Sequence, residues 1–243
     1  MAEQSQNLKL RIWRGGPDGG AFQTFEIPRK DNQTVLDAVS WVQRHVEPGL
    51  SYRFACRVGM CGSCAMTVNG VPRWTCRTHI KKVATEGALE IAPLKNLPVV
   101  RDLVCDMDLF FDKWVQAGAV HEGIAGRGDP VAAVAPASAA RQRADAGIEC
   151  INCAICYSAC DTVAGNRDYL GPAALQRVWT LANDERDARG KAVLDGVIHS
   201  DGAMNCHSIG NCSALCPNEL DPLDAIAGLK RAAVSRLFGR RDA

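Results

Sequence analysis

Seven cysteines crowd into two runs of this 243-residue chain, Cys150-x2-Cys153-x2-Cys156-x3-Cys160 and Cys206-x5-Cys212-x3-Cys216-Pro217. Thiolates at these intervals can hold iron–sulfur clusters. The run C-x2-C-x2-C-x3-C-P wraps three ligands around one cluster and sends its fourth cysteine to the other. In the second run one expected cysteine is missing, and Ile209 stands in its place, three residues after Cys206 and three before Cys212. Crossing over the fourth ligands gives Cys150, Cys153, Cys156 and Cys216 to one [4Fe–4S] cluster. Cys160, Cys206 and Cys212 then form a set of three with an apolar side chain at the vacant corner, which predicts a [3Fe–4S] cluster.

A third set lies upstream. Cys56-x4-Cys61-x2-Cys64, followed by Cys76, has the plant-type [2Fe–2S] spacing, in which the last ligand comes from a more distant strand. A hairpin must intervene, and Asn69-Gly70 between Ala65–Val68 and Val71–Thr75 is a strong two-residue turn signal. Gly59 and Gly62 in the loop let backbone N–H groups approach the sulfurs, where hydrogen bonds tune a cluster's potential. These three sets use eleven of the twelve cysteines. The remaining one, Cys105, reads as a buried, inert thiol on a helix after Val104.

Other uses of cysteine fit less well. Structural zinc closes at four ligands in paired C-x2-C elements. Disulfides need an oxidising compartment, and Met1–Gln6 has neither a basic nor an apolar leader region. Formal charge is +1, which argues against a nucleic-acid surface. No apolar run approaches the eighteen or so residues that span a bilayer, so work at a membrane requires docking on another subunit. Arg236, Arg240 and Arg241 form a basic tail suited to anionic headgroups or to a solvated helix end.

The surrounding elements predict an α+β fold. Lys9–Arg14 and Ala21–Ile27 alternate as two strands around a turn at Gly15–Gly20. Thr34-x-x-Asp37 opens a helix as a capping box, and a strand follows near Leu89–Ile91. Two hairpins on one helix make an N-terminal β-grasp, plant-type ferredoxin domain over residues 1–118, with Arg101–Gln116 as its exit helix. Residues 119–147, rich in Ala, Gly and Pro, read as an irregular inter-domain segment. Residues 148–243 read as a mostly helical, bacterial two-cluster ferredoxin-like domain. Its helices are expected over Ala173–Ala182 and from Asp221-Pro222 to Leu237, and loss of metal should unfold it.

Taken in order, Cys56-Arg57-x-Gly59-x-Cys61-Gly62-x-Cys64, Arg101-Asp102-Leu103-Val104, Cys150-Ile151-x-Cys153, Gly171-Pro172-Ala173, Cys206-His207-Ser208-Ile209-x-Asn211-Cys212 and Cys216-Pro217 carry a resemblance. Over nearly the whole chain they resemble the iron–sulfur subunit of succinate dehydrogenase and fumarate reductase. The resemblance implies electrons passing from an FAD-bearing flavoprotein subunit through [2Fe–2S], [4Fe–4S] and [3Fe–4S] clusters to quinone in a membrane-anchor subunit, or the reverse. It implies a peripheral place on the cytoplasmic side of a bacterial inner membrane, with His207 and Ile209 near the quinone. No residue need act as nucleophile or base, since each cluster passes one electron and the flavin two.

The match is uneven at the quinone end. Asp161 stands where the family commonly has proline, and Thr162–Asn166 lacks the tryptophan of ubiquinone-using dehydrogenases. Asp161 either lowers the three-iron potential, relays protons, or caps an exposed turn. The first run leans toward fumarate reductases and the second toward dehydrogenases, so reaction direction and quinone type stay open. The subunit of another flavoenzyme, of the glycolate oxidase or heterodisulfide reductase kind, and a free-standing multi-cluster ferredoxin are the alternatives.

Overall fold

In the computed structural model, residues 7–131 and 133–238 are described; the expectations for Met1–Gln6, Arg240 and Arg241 lie outside them. The elements run β1 Asn7–Gly16, β2 Gly19–Pro28, α1 Val35–His45, β3 Ala65–Val68, β4 Val71–Trp74, α2 Ile80–Val83, β5 Ala88–Ala92, β6 Val99–Arg101 and β7 Val104–Cys105. Then follow α3 Asp108–Gln116, α4 Ala139–Ile148, α5 Ile155–Ser158, α6 Asp161–Gly165, α7 Pro172–Asn183, α8 Asn211–Ala214 and α9 Pro222–Leu237. The chain divides into two compact units, one of Met1–Met107 with Ile151–Ala159, the other of Asp108–Cys150 with Cys160–Ala243.

In the first unit, alternation does what period-two patterning requires. Leu8, Leu10 and Ile12 of β1 point inward, and the sheet order is β2-β1-β5-β3-β4, with β1 and β5 parallel. The hairpin turn between β3 and β4 has Asn69 and Gly70 both at positive φ, as a type I′ turn demands. Helix α1 lays Val35, Ala38, Val39 and Val42 on this sheet. Its capping box is complete: Thr34 Oγ1 accepts from Asp37 N–H and Asp37 Oδ2 accepts from Thr34 N–H.

The expected helix from Arg101 does not begin there. Residues 99–105 form the short ribbon β6–β7, and α3 starts only at Asp108. Asp102 is the cause. At φ 51° its carboxylate accepts from Arg14 Nε at 3.0 Å, Gly15 N–H at 3.1 Å and Ser51 N–H at 2.9 Å. Those distant donors outbid a local helix. Cys105 thus lies on a strand, buried as expected, with its thiol donating to the Leu94 carbonyl at 3.5 Å. On α3, Phe111 is 45% exposed, while Phe110 beside it is buried.

The second unit is helical, with α7 at its centre, packed against α4 and α9. The segment expected to be irregular carries α4, capped by the Ser138 hydroxyl. At Gly147 a Cβ would stand 1.8 Å from Thr180 Oγ1, so only glycine permits this approach of α4 to α7. Upstream of α4 the chain is tied down by Arg189, which pairs with Asp187 and donates to the carbonyls of Gly118 and Val120. Among the described residues no helix is long and apolar enough to cross a membrane.

Candidate metal centres

The first unit brings Cys56, Cys61, Cys64 and Cys76 together. Cys64 immediately precedes β3, and Cys76 lies two residues past the end of β4. Thr75 ties the pair, its N–H and hydroxyl both donating to the Cys64 carbonyl, at 3.2 and 2.7 Å. Within the loop, Met60 N–H donates to Cys56 Sγ at 3.2 Å and Cys56 N–H to Cys61 Sγ at 3.5 Å. Burial alone would raise the Cys61 pKa, but Cys56 N–H and the Ser63 hydroxyl and N–H outweigh it and bring the thiol to about 6. Cys76 goes the other way, pushed up to about 12 by burial and by the neighbouring Cys64 thiol.

Gly62, at φ +70°, sits on the inner side of this loop. A Cβ there would lie 2.8 Å from Cys153 Cα, so the loop backbone and the Cys153 segment meet through the missing side chain. That segment is anchored in the same unit: Lys95 N–H donates to Ser158 Oγ at 2.8 Å, and Asn96 Nδ2 to the Tyr157 carbonyl at 3.0 Å.

The second unit brings Cys160, Cys206 and Cys212 together. Cys160 occupies the N-cap position of α6, without a side-chain cap hydrogen bond; burial raises its pKa, helped by Cys206 and opposed by the nearby N–H groups of Val163 and Thr162. Cys212 is the second residue of α8 and is pushed up to about 11 by burial, then by the Cys160 and Cys206 charges, against the Ser213 hydroxyl. Ser208 N–H donates to Cys206 Sγ at 3.4 Å. Ile209 stands 55% exposed, His207 is exposed beside it, and Asp161 is exposed in the first turn of α6. Of the remaining predicted ligands, Cys150 follows α4 and Cys216 follows α8 in the second unit, whereas Cys153 and Cys156 belong to the first.

These donor sets fit iron–sulfur clusters. All twelve cysteines are free thiols. Thiolates gathered this closely repel until a cation neutralises them, and several already receive the backbone N–H bonds a cluster uses. Among the described residues no three His, Cys, Asp or Glu side chains close around a single ion; the thiolates of a cubane each take a different iron and stand farther apart. Two groups beside the second set had no signal in the sequence. Lys230 Nζ donates to the Cys206 carbonyl at 2.5 Å, and the hydroxyl of Tyr169, two residues before Gly171-Pro172, lies within electrostatic reach of the three thiols, with no spacing to mark it.

Comparison with known proteins gives the same picture. A family of 2Fe-2S iron-sulfur cluster binding domains matches residues 9–112, and a family of 4Fe-4S dicluster domains matches residues 149–221. The fumarate reductase iron-sulfur subunit of Escherichia coli O6:H1 is 34% identical over 232 residues, covering 93% of this chain and 92% of that protein. The succinate dehydrogenase iron-sulfur subunit of Paracoccus denitrificans is 34% identical over 234 residues, covering 94% and 89%. A chain of the Mycobacterium smegmatis Sdh1 complex in the apo form superposes with a TM-score of 0.83 at 25% identity, covering 96% of this chain and 98% of that one.

A 2Fe-2S ferredoxin-like domain followed by a dicluster domain defines a multi-cluster electron carrier. The chain belongs to the family of fumarate reductase and succinate dehydrogenase iron–sulfur subunits, electron-transfer subunits of oxidoreductase complexes.

Proposed function

We propose that this subunit passes single electrons between a flavoprotein subunit bearing FAD and quinone in a membrane-anchor subunit, on the cytoplasmic face of a bacterial inner membrane. When bound, the clusters supply one-electron centres that divide the flavin's two-electron step. Cys56, Cys61, Cys64 and Cys76 hold the [2Fe–2S] cluster. Cys150, Cys153, Cys156 and Cys216 hold the [4Fe–4S] cluster, and Cys160, Cys206 and Cys212 the [3Fe–4S] cluster. The close approach of the Gly62 backbone to Cys153 supports a short path between the first two centres.

The exposed apolar side chains Phe54, Val58 and Met60 around the first loop suit a flavoprotein surface, and exposed Met204 and Ile209 suit the quinone end. His207, exposed beside Ile209, is the group there able to give a proton to quinone.

The observation that carries this reading is the meeting of three thiols, Cys160, Cys206 and Cys212, beside an isoleucine at the fourth ligand's place. Ile209→Cys tests it. In the purified complex the oxidised protein should show a three-iron EPR signal, and the variant should lose it while gaining about one iron per chain. Two intact four-iron centres in the unaltered protein would overturn the assignment.

A further inference from the structure

Tyr169 is a fully buried side chain beside the Cys160–Cys206–Cys212 set. It is 1% exposed, and its hydroxyl is a buried polar atom without a hydrogen-bond partner. Leaving such a group unsatisfied is costly, so an acceptor is expected at that point.

Three tethers fix the backbone on either side of the ring. Tyr169 N–H donates to the Asn166 carbonyl at 3.3 Å, Leu170 N–H to the Asp201 carbonyl at 2.9 Å, and buried Lys113 to the carbonyl of Asp168 at 3.1 Å. What the phenol faces is sulfur. Burial first, and then the charges of Cys206, Cys160 and Cys212, raise its pKa above the ordinary phenol value, with Cys206 the thiol near enough to pair with it. A phenol O–H facing sulfur, with no other acceptor in reach, is placed to donate to it.

We propose that the Tyr169 hydroxyl donates a hydrogen bond to the sulfur of Cys206 in the bound three-iron cluster and raises its reduction potential. The inference rests on the assignment of that cluster to Cys160, Cys206 and Cys212. A donor aimed at a ligand sulfur withdraws electron density and favours the reduced state, whose cluster carries one more negative charge. The site is closed to water on the tyrosine side, so no solvent donor replaces it. The phenol makes the last centre before quinone a better electron acceptor without touching substrate.

The test is Tyr169→Phe in the assembled complex, followed by an EPR-monitored redox titration. At a fixed ambient potential near the midpoint, the ratio of reduced to oxidised three-iron cluster should fall about tenfold, a downward shift of about 59 mV. The [2Fe–2S] midpoint should not move. Because the variant could assemble poorly, the unaltered protein is also labelled with 3-fluorotyrosine, a stronger hydrogen-bond donor, which should shift the three-iron midpoint upward. A three-iron signal with an unmoved midpoint in both preparations would overturn the role of Tyr169 and leave the cluster assignment intact. Absence of any three-iron signal from the unaltered complex would overturn the assignment, and this inference with it.

Discussion

The two thiol sets that the structure gathers are built on opposite principles. Cys56, Cys61, Cys64 and Cys76 hang from a sheet with its own core: Leu8, Leu10, Ile12, Val39, Val68, Leu89 and Ile91 are buried together without any contribution from the cluster loop. Cys160, Cys206 and Cys212 instead sit on short pieces. Cys160 occupies the N-cap position of the five-residue α6, Cys206 follows the three-residue 3₁₀ turn Ala203–Asn205, and Cys212 lies in the four-residue α8. Helices this short are unstable by themselves. The first site is thus a loop added to a finished fold, whereas the second is part of what finishes its fold.

Iron removal should separate the two most sharply. Structural metal contributes on the order of 10 kcal/mol to folding, comparable with the whole stability of an ordinary domain. On chelation under reducing conditions, amide hydrogen exchange in α6, α8 and the Cys206 loop should rise to nearly unprotected rates, while β1 and β5 stay protected. Equal loss of protection in both places would show that the sheet, too, depends on its cluster.

Gly62→Val attacks the sheet-borne site alone. A β-branched residue at positive φ costs about 1–2 kcal/mol, and the Cβ forced against Cys153 adds about 1–3 kcal/mol of overpacking. The expected result is loss of the [2Fe–2S] EPR signal and weakened [4Fe–4S] occupancy, since Cys153 is displaced, with the three-iron signal retained. Normal [2Fe–2S] content in this variant would mean that the loop has slack which the close contact does not suggest.

Which features could be read from sequence follows the same division. The Asn69-Gly70 turn and the Thr34–Asp37 box are complete within four residues, so their chemistry is local and visible. The ribbon at residues 99–105 is not, because Asp102 is held in its turn by Gly15 and Ser51, 87 and 51 residues away in sequence. Helix α4 was hidden for a related reason. Its apolar face is mostly alanine, with no strong period, and what recommends it as a helix is contact with α7 at Gly147 and Thr180. The thiol sets were legible because ligand spacing is written in the chain, whereas Tyr169 reaches its sulfurs only through the tertiary path of α6 and α7.

Asp102 allows the sheet's independence to be measured apart from any cluster. Its carboxylate joins Arg14 of β1 to the Ser51 turn and to the ribbon. Burial by itself would raise its pKa, but the N–H of Ser51, the Arg14 guanidinium and the N–H of Gly15 together hold it below the ordinary carboxylate value. A depressed folded pKa gives stability that is fully present above the unfolded value of about 3.9 and lost as pH falls through the folded one. Asp102→Asn keeps the shape but loses the charge and one acceptor oxygen, which should cost about 1–3 kcal/mol at neutral pH. Urea unfolding of the first unit, followed by Trp13 and Trp41 fluorescence, should show this difference at pH 7 and show it shrinking below about pH 4. A gap of the same size at both pH values would mean that geometry, rather than charge, is what Asp102 contributes, and the sheet would then owe its order to packing alone.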